Sequence, residues 1–136
     1  MKKLVMASTM LMLAGCVQVD NYNAVVKAPA PAQLAGYWQS KGPQSVMVSP
    51  EAIASLIITK EGDTLDCRQW KRVTAVRGKL MQRDDDYYNV VANSKLAAYS
   101  LDIDDGILEY DRLELQRVDR PTPECADAMA KNGLAE

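Results

Sequence analysis

A mainly β fold is what the sequence predicts: a small antiparallel up-and-down barrel or strongly curved sheet of about seven or eight strands, followed by a C-terminal helix. Three observations carry that expectation. Residues 96–103 set Ala97, Tyr99, Leu101 and Ile103 against Ser100 and Asp102, the two-residue period of a half-buried strand. Similar short runs recur between turn residues from Gly36 onward, with Asp105-Gly106 the strongest hairpin signal. Thr122-Pro123-Glu124 then combines a capping hydroxyl, a proline suited to the first helical position and an acid in the first turn.

The elements follow in order. Residues 36–39, GYWQ, form the first strand. Ser49-Pro50-Glu51 starts at most a turn of helix before β-branched residues resume at 55–60. Residues 60–63, KEGD, reverse the chain, and 64–73 return. Arg77-Gly78 is expected to supply another reversal before 79–83. Asp84-Asp85-Asp86 interrupts the pattern and 87–92 restores it. After the 96–103 strand and the Asp105-Gly106 turn, Ile107–Tyr110 and Leu113–Val118 complete the sheet. The terminal helix runs to about Lys131 and stops near Gly133. Closing such strands into a barrel protects their edges.

Upstream of the folded part the chain has another purpose. Lys2 and Lys3 precede an apolar run over residues 4–14, which is too short to span about 30 Å of hydrocarbon and has the layout of an export leader. Leu13-Ala14-Gly15-Cys16 resembles a bacterial lipobox, with cleavage before Cys16 and acyl chains on its thiol. Several chains, at about 0.8 kcal/mol per buried CH₂, hold a membrane far more firmly than one. The expected organisation is therefore a signal peptide over 1–15, a lipidated Ala/Pro tether over 16–34 and one β-rich domain over 35–136. Val17, where inner-membrane lipoproteins commonly carry Asp, favours the outer membrane, with the domain facing the periplasm. Fully stretched, the tether reaches about 60 Å, and packing of Tyr22, Val25 and Val26 onto the domain would shorten that reach.

Composition narrows the chemistry. The formal charge of −2 includes Lys2 and Lys3, so the mature chain is more acidic still and no nucleic-acid partner is expected. With Cys16 acylated, Cys67 and Cys125 are an even pair in an oxidising compartment and are expected to form a disulfide, worth about 4 kcal/mol in the chain-entropy model. There is no Cys-x-x-Cys spacing. Histidine is absent, which removes serine-histidine and cysteine-histidine mechanisms. Asp84, Asp85, Asp86, Asp102, Asp104 and Asp105 are placed as turn residues rather than as a carboxylate pair. Asp102 to Gly106 brings its glycine too early for a calcium loop. No catalytic residue, metal ligand or cofactor is assigned.

One basic run stands out: Arg68, Lys71, Arg72, Arg77, Lys79 and Arg83, without an intervening acid. With Trp70 it is the candidate binding surface, suited to a carboxylate-rich partner, lipid headgroups or wall polymer. Its other reading is a solvated hairpin whose charges pair with Asp102, Asp104, Glu109 and Asp111.

Gly36-Tyr37-Trp38 resembles the first-strand motif of lipocalins, although the absence of Phe and the low aromatic content argue against a roomy calyx. More broadly, LAGC, the Ala-Pro stretch, LAGYWQSKGPQ, VSPEAIASLIITKEGDTLDCRQW and LQRVDRPTPECA resemble the YedD-like lipoproteins of enteric bacteria over most of the chain. The resemblance supports Cys16 as the lipidated residue and Cys67 with Cys125 as a pair, and transfers no catalytic motif. The expected function is a non-enzymatic outer-membrane lipoprotein that modulates a periplasmic cell-wall enzyme, the membrane being its other partner through the acyl chains. The alternative is a lipocalin-like binder of a small apolar ligand.

Overall fold

A computed structural model describes residues 21–92 and 95–134. The leader and the lipidation position Cys16 lie outside the described residues. Eight antiparallel strands close into a barrel in sequence order. They are β1 Gly36–Ser40, β2 Ile53–Ile58, β3 Asp63–Trp70, β4 Arg72–Arg83, β5 Asp86–Ala92, β6 Leu96–Asp104, β7 Ile107–Tyr110 and β8 Leu113–Val118. Closure is made by β1, where Trp38 pairs with Leu56 of β2 on one side and with Arg117 of β8 on the other. Helix α1, Pro123–Lys131, follows the barrel.

Local chemistry explains most boundaries. Asp104 pairs with Ile107 across a two-residue turn in which Asp105 and Gly106 have φ of 57° and 80°, the left-handed pair that a tight hairpin demands. The β7–β8 hairpin makes the same turn through Asp111 and Arg112, at φ 49° and 63°, without a glycine. Ser49 accepts from the Glu51 N–H, and the Ala52 N–H bonds the Ser49 carbonyl, so this segment is a single turn before β2.

The expected reversal at Arg77-Gly78 does not occur. β4 is one strand of 12 residues running straight through Gly78, and the chain reverses earlier at Lys71, whose φ is 65°. The glycine serves packing instead. A Cβ there would stand 2.6 Å from Thr64 Oγ1, 2.7 Å from Asn89 Oδ1 and 2.7 Å from the Val90 carbonyl oxygen. Only a residue without a side chain admits those neighbours.

The molecule has two apolar cores. Inside the barrel, Trp38, Ala54, Leu56, Ile58, Leu80, Leu101, Leu108, Tyr110, Leu113 and Leu115 pack together with Leu34. Outside it, α1 covers Ile57, Leu65 and Cys67 with Cys125, Ala128, Met129 and Leu134. The Cys67–Cys125 bridge, Sγ to Sγ 2.02 Å, joins that helix to β3. Thr122 caps the helix by accepting from the Cys125 N–H at 3.2 Å. At its other end the Leu134 N–H reaches the Met129 carbonyl and the Gly133 N–H reaches Ala130, a Schellman closure that tucks Leu134 into the outer core.

One end of the barrel is shut. The segment before β1 crosses it, with the Ala28 N–H bonded to the Leu80 carbonyl at 2.9 Å and the Ala30 N–H to Lys60 at 2.9 Å. Leu34 enters the inner core, and its carbonyl accepts from Trp38 Nε1 at 2.9 Å. The Arg117 guanidinium lies 4.5 Å from the Trp38 ring centre and donates to the carbonyls of Ala35 and Gln33. Residues 21–30 of the stretch expected to be a spacer thus lie on the barrel in part rather than hanging free.

Candidate functional site

The other end of the barrel is a mouth. It is ringed by residues 41–52 between β1 and β2, by the tight β3–β4 turn at Lys71 and by the Asp111-Arg112 turn. The first of these is held down at Gln44 and Met47. Gln44 donates through Nε2 to the Glu114 carbonyl at 2.7 Å and accepts from the Glu114 N–H at 2.9 Å, while Met47 packs against the inner core. Pinning Gln44 and Met47 leaves their neighbours outward: Val46 is 39% and Val48 75% exposed.

Between this loop and the β3–β4 hairpin lies a hollow of about 240 Å³. Met47, Val48, Ile53 and Trp70 supply apolar walls, and the cationic residues Arg68 and Arg72 complete the lining. Trp70 is 37% exposed, and Lys71 Nζ sits 4.6 Å from its ring centre, a contact that shields the ring's face while leaving the charge in solvent. An apolar wall beside planar cations is chemistry for an anionic amphiphile: alkyl carbon gains by leaving water, and guanidinium binds phosphate or carboxylate oxygens in pairs.

Beneath the mouth the barrel interior is polar and tightly joined. Asp66 accepts from Arg68 Nε at 2.7 Å, from Arg68 Nη2 at 3.0 Å and from the Tyr110 hydroxyl at 2.7 Å. Arg68 also reaches Asp111 at 3.2 Å. Asn89 donates to the Tyr110 oxygen at 2.9 Å and accepts from Thr64. Burial pushes the Tyr110 hydroxyl far above the ordinary tyrosine range, and the Asp66 charge and hydrogen bond add to it. Burial works against the Arg68 charge, but hydrogen bonds and attraction from Asp66 and Asp111 hold it protonated beyond the usual arginine range. Its charge is therefore shared with two carboxylates, whereas Arg72 and Lys71 make no ion pair with any described residue.

Deeper along the axis, Leu56, Leu80 and Leu108 are wholly inaccessible to water, so no water-sized gap adjoins them.

β4 divides the basic run read from the sequence. Arg68, Trp70, Lys71 and Arg72 come together at the mouth. Arg77 points outward, 3.5 Å from Asp63. Lys79 is occupied by the N-terminal segment, donating to the carbonyls of Tyr22 at 3.0 Å and Val25 at 3.2 Å. Arg83 closes β4 at the opposite end, roughly 35 Å along the strand from Arg72. Strand direction thus brings part of the run into one surface and carries the rest away.

Sequence reasoning missed Val46, Met47 and Val48, whose signal was an apolar triplet inside a Gly-, Pro- and Ser-rich stretch. It also missed Asp66, Asn89 and Tyr110, which left no local signal.

Comparison with known proteins bears on this geometry. A family model described as "Bacterial lipocalin LPS transport optimiser YedD" matches residues 19–129. The lipoprotein YedD of Salmonella typhimurium is 60% identical over 134 residues, covering 98% of this chain and 94% of the relative. That of Escherichia coli K12 is likewise 60% identical, with 98% of this chain and 96% of the relative covered. The crystal structure of a lipoprotein YedD from Klebsiella pneumoniae superposes with a TM-score of 0.78 at 62% identity, over 83% of this chain and 95% of that one.

Proposed function

The chain belongs to the YedD family of lipoproteins, and from that premise we propose that it is a lipid-anchored, lipocalin-like accessory of lipopolysaccharide transport. It acts without chemistry of its own, by engaging an anionic amphiphile at the barrel mouth. The observation that carries this reading is the composition of the mouth hollow, where Val48, Ile53 and Trp70 stand beside Arg72 and Arg68. Lipopolysaccharide combines acyl chains with anionic groups, and the family description speaks of its transport. Of the two functions expected from the sequence, the lipocalin-like alternative is therefore the better supported, and modulation of a cell-wall enzyme draws no support from the family description. Anchoring through Cys16 in the outer membrane, with the barrel facing the periplasm, belongs to the same reading. A tethered module works at high local concentration.

The test places a photo-crosslinking amino acid at position 48 of the full chain in cells, with position 83 as the distant control. Position 48 is expected to capture lipopolysaccharide and position 83 not. Arg72→Glu is expected to cut the capture at least fivefold and to slow delivery of new lipopolysaccharide to the cell surface. Capture equal at both positions, or none at 48 with normal delivery in a deletion strain, overturns the proposal.

A further inference from the structure

The two ends of the barrel differ in charge as well as in closure. Exposed bases gather at the mouth, Lys41, Lys71, Arg72, Lys95 and Arg112, against the acids Glu51, Glu114 and Glu124. The shut end reverses the balance: Glu61, Asp84, Asp85, Asp104 and Asp105 are exposed in its turns, against Lys60 and Arg83. Most exposed large apolar side chains among the described residues lie with the bases: Val46, Val48, Trp70 and Val73 belong to the mouth loop or the β3–β4 hairpin, while Ile103 lies beside the shut-end turn and Val26 in the N-terminal segment.

The N-terminal segment adds an independent constraint. It crosses the shut end at Ala30 and Ala28, then turns back along the barrel wall. Lys27 pairs with Asp63 at 3.2 Å, Lys79 holds the Tyr22 and Val25 carbonyls, and Lys79 Nζ lies 4.5 Å from the Tyr22 ring centre. Tyr22 shares a surface hollow with Arg77, Gly78 and Ala92, on the mouth side of Leu80. The described chain therefore ends on the barrel wall about midway along β4, between Arg72 at the mouth and Arg83 at the shut end. Only five peptide steps separate Asn21 from Cys16, so an acylated Cys16 stands at most about 18 Å from that point. The long reach of a free tether is lost.

We propose that the mouth is the face of the barrel that lies on the lipid surface, with Trp70, Val46 and Val48 entering the headgroup layer of the membrane that holds the acyl chains. The inference rests on lipidation at Cys16. Short attachment to the barrel wall keeps the domain close to the lipid surface, and charge and exposed apolar side chains select the end that meets it. The basic turns are drawn to anionic headgroups, and the acidic far end is repelled by them. Tryptophan is suited to that layer because its ring is apolar and its N–H is polar. The orientation puts the mouth hollow where an amphiphile leaving or entering the membrane passes.

The test uses acylated full-chain protein, verified by mass, in vesicles of phosphatidylethanolamine and phosphatidylglycerol carrying bromine high on the acyl chains. The protein has two tryptophans, and Trp38 is buried. Trp70 emission is expected to be quenched and blue-shifted, Trp70→Phe to abolish the quenched component, and Val46→Asp with Val48→Asp to lower quenching at least twofold. Twenty Gly/Ser residues inserted between Asp20 and Asn21 are expected to lower it similarly. Trp70 left unquenched and fully open to aqueous iodide overturns the orientation, and quenching unaltered by the insertion overturns the role of the docked segment. Iodide protection that grows with protein concentration without vesicles assigns the mouth to a second copy and also overturns it. The transport role fails separately: quenching without lipopolysaccharide capture at position 48 sinks that role and leaves the orientation standing.

Discussion

At the shut end of the barrel, side chains around the crossing segment are committed to other groups: Leu34 to the inner core, Trp38 Nε1 to the Leu34 carbonyl, Arg117 to the Trp38 ring and two backbone oxygens. At the mouth, Val48, Trp70 and Arg72 are left facing water. The difference divides the barrel into an end that holds the fold together and an end whose lip it can spare. Contacts that close the fold are concentrated at the first, and exposed apolar and cationic groups stand at the second, where their loss costs the fold little.

The contrast predicts unequal sensitivities. Trp38→Ala removes the largest side chain of the shut end, and chemical denaturation should read a loss of about 3–5 kcal/mol. A loss below about 1 kcal/mol would mean that the end is not sealed by this residue. Removing the outer clamp with Cys67→Ala and Cys125→Ala together should cost about 2–5 kcal/mol, with helix α1 the first element to lose amide protection in hydrogen exchange.

The polar floor under the mouth gives a pH signature. Tyr110 keeps its proton in the fold above the ordinary value of 10.0, whereas the unfolded chain releases it there. The stability it contributes is complete below that pH and falls as pH rises above it, by up to about 1.4 kcal/mol per unit. Unfolding midpoints measured from pH 9 upward should therefore fall more steeply for the wild type than for Tyr110→Phe. Parallel slopes would refute a buried, Asp66-bonded hydroxyl. The smallest effect on folding belongs to the lip itself: Val48→Ser and Trp70→Ser should each shift stability by less than about 0.5 kcal/mol. The same variants should lose most of the capture of lipopolysaccharide. A large destabilisation from either would erase the distinction between the two ends.

Much of the architecture is legible without coordinates because it is written in local chemistry. Asp105-Gly106 needs only its own φ preferences to reverse the chain, and Thr122-Pro123-Glu124 needs only its own hydroxyl, ring and carboxylate to begin a helix. The β7–β8 turn was readable only as a gap between strands, since Asp111 and Arg112 do not advertise left-handed backbone. Gly78 misleads for the opposite reason: a glycine that looks like a turn is there because Thr64, Asn89 and Val90 come from other strands to crowd it.

The sequence by itself determined the strands, most of their turns, the terminal helix and the even pair of cysteines, since each depends on neighbours along the chain. Tertiary structure alone decided which face of β3 points inward. Alternation places Thr64, Asp66 and Arg68 opposite Leu65 and Cys67 but does not say which set meets solvent. Helix α1 and the disulfide cover the apolar set from outside, so the polar set turns into the barrel and must satisfy itself there through Asn89, Tyr110 and Asp111. The mouth is a product of that choice. Its polar floor and exposed lip are assembled from residues up to 70 positions apart, and no pattern within one strand can announce partners that only barrel closure brings together.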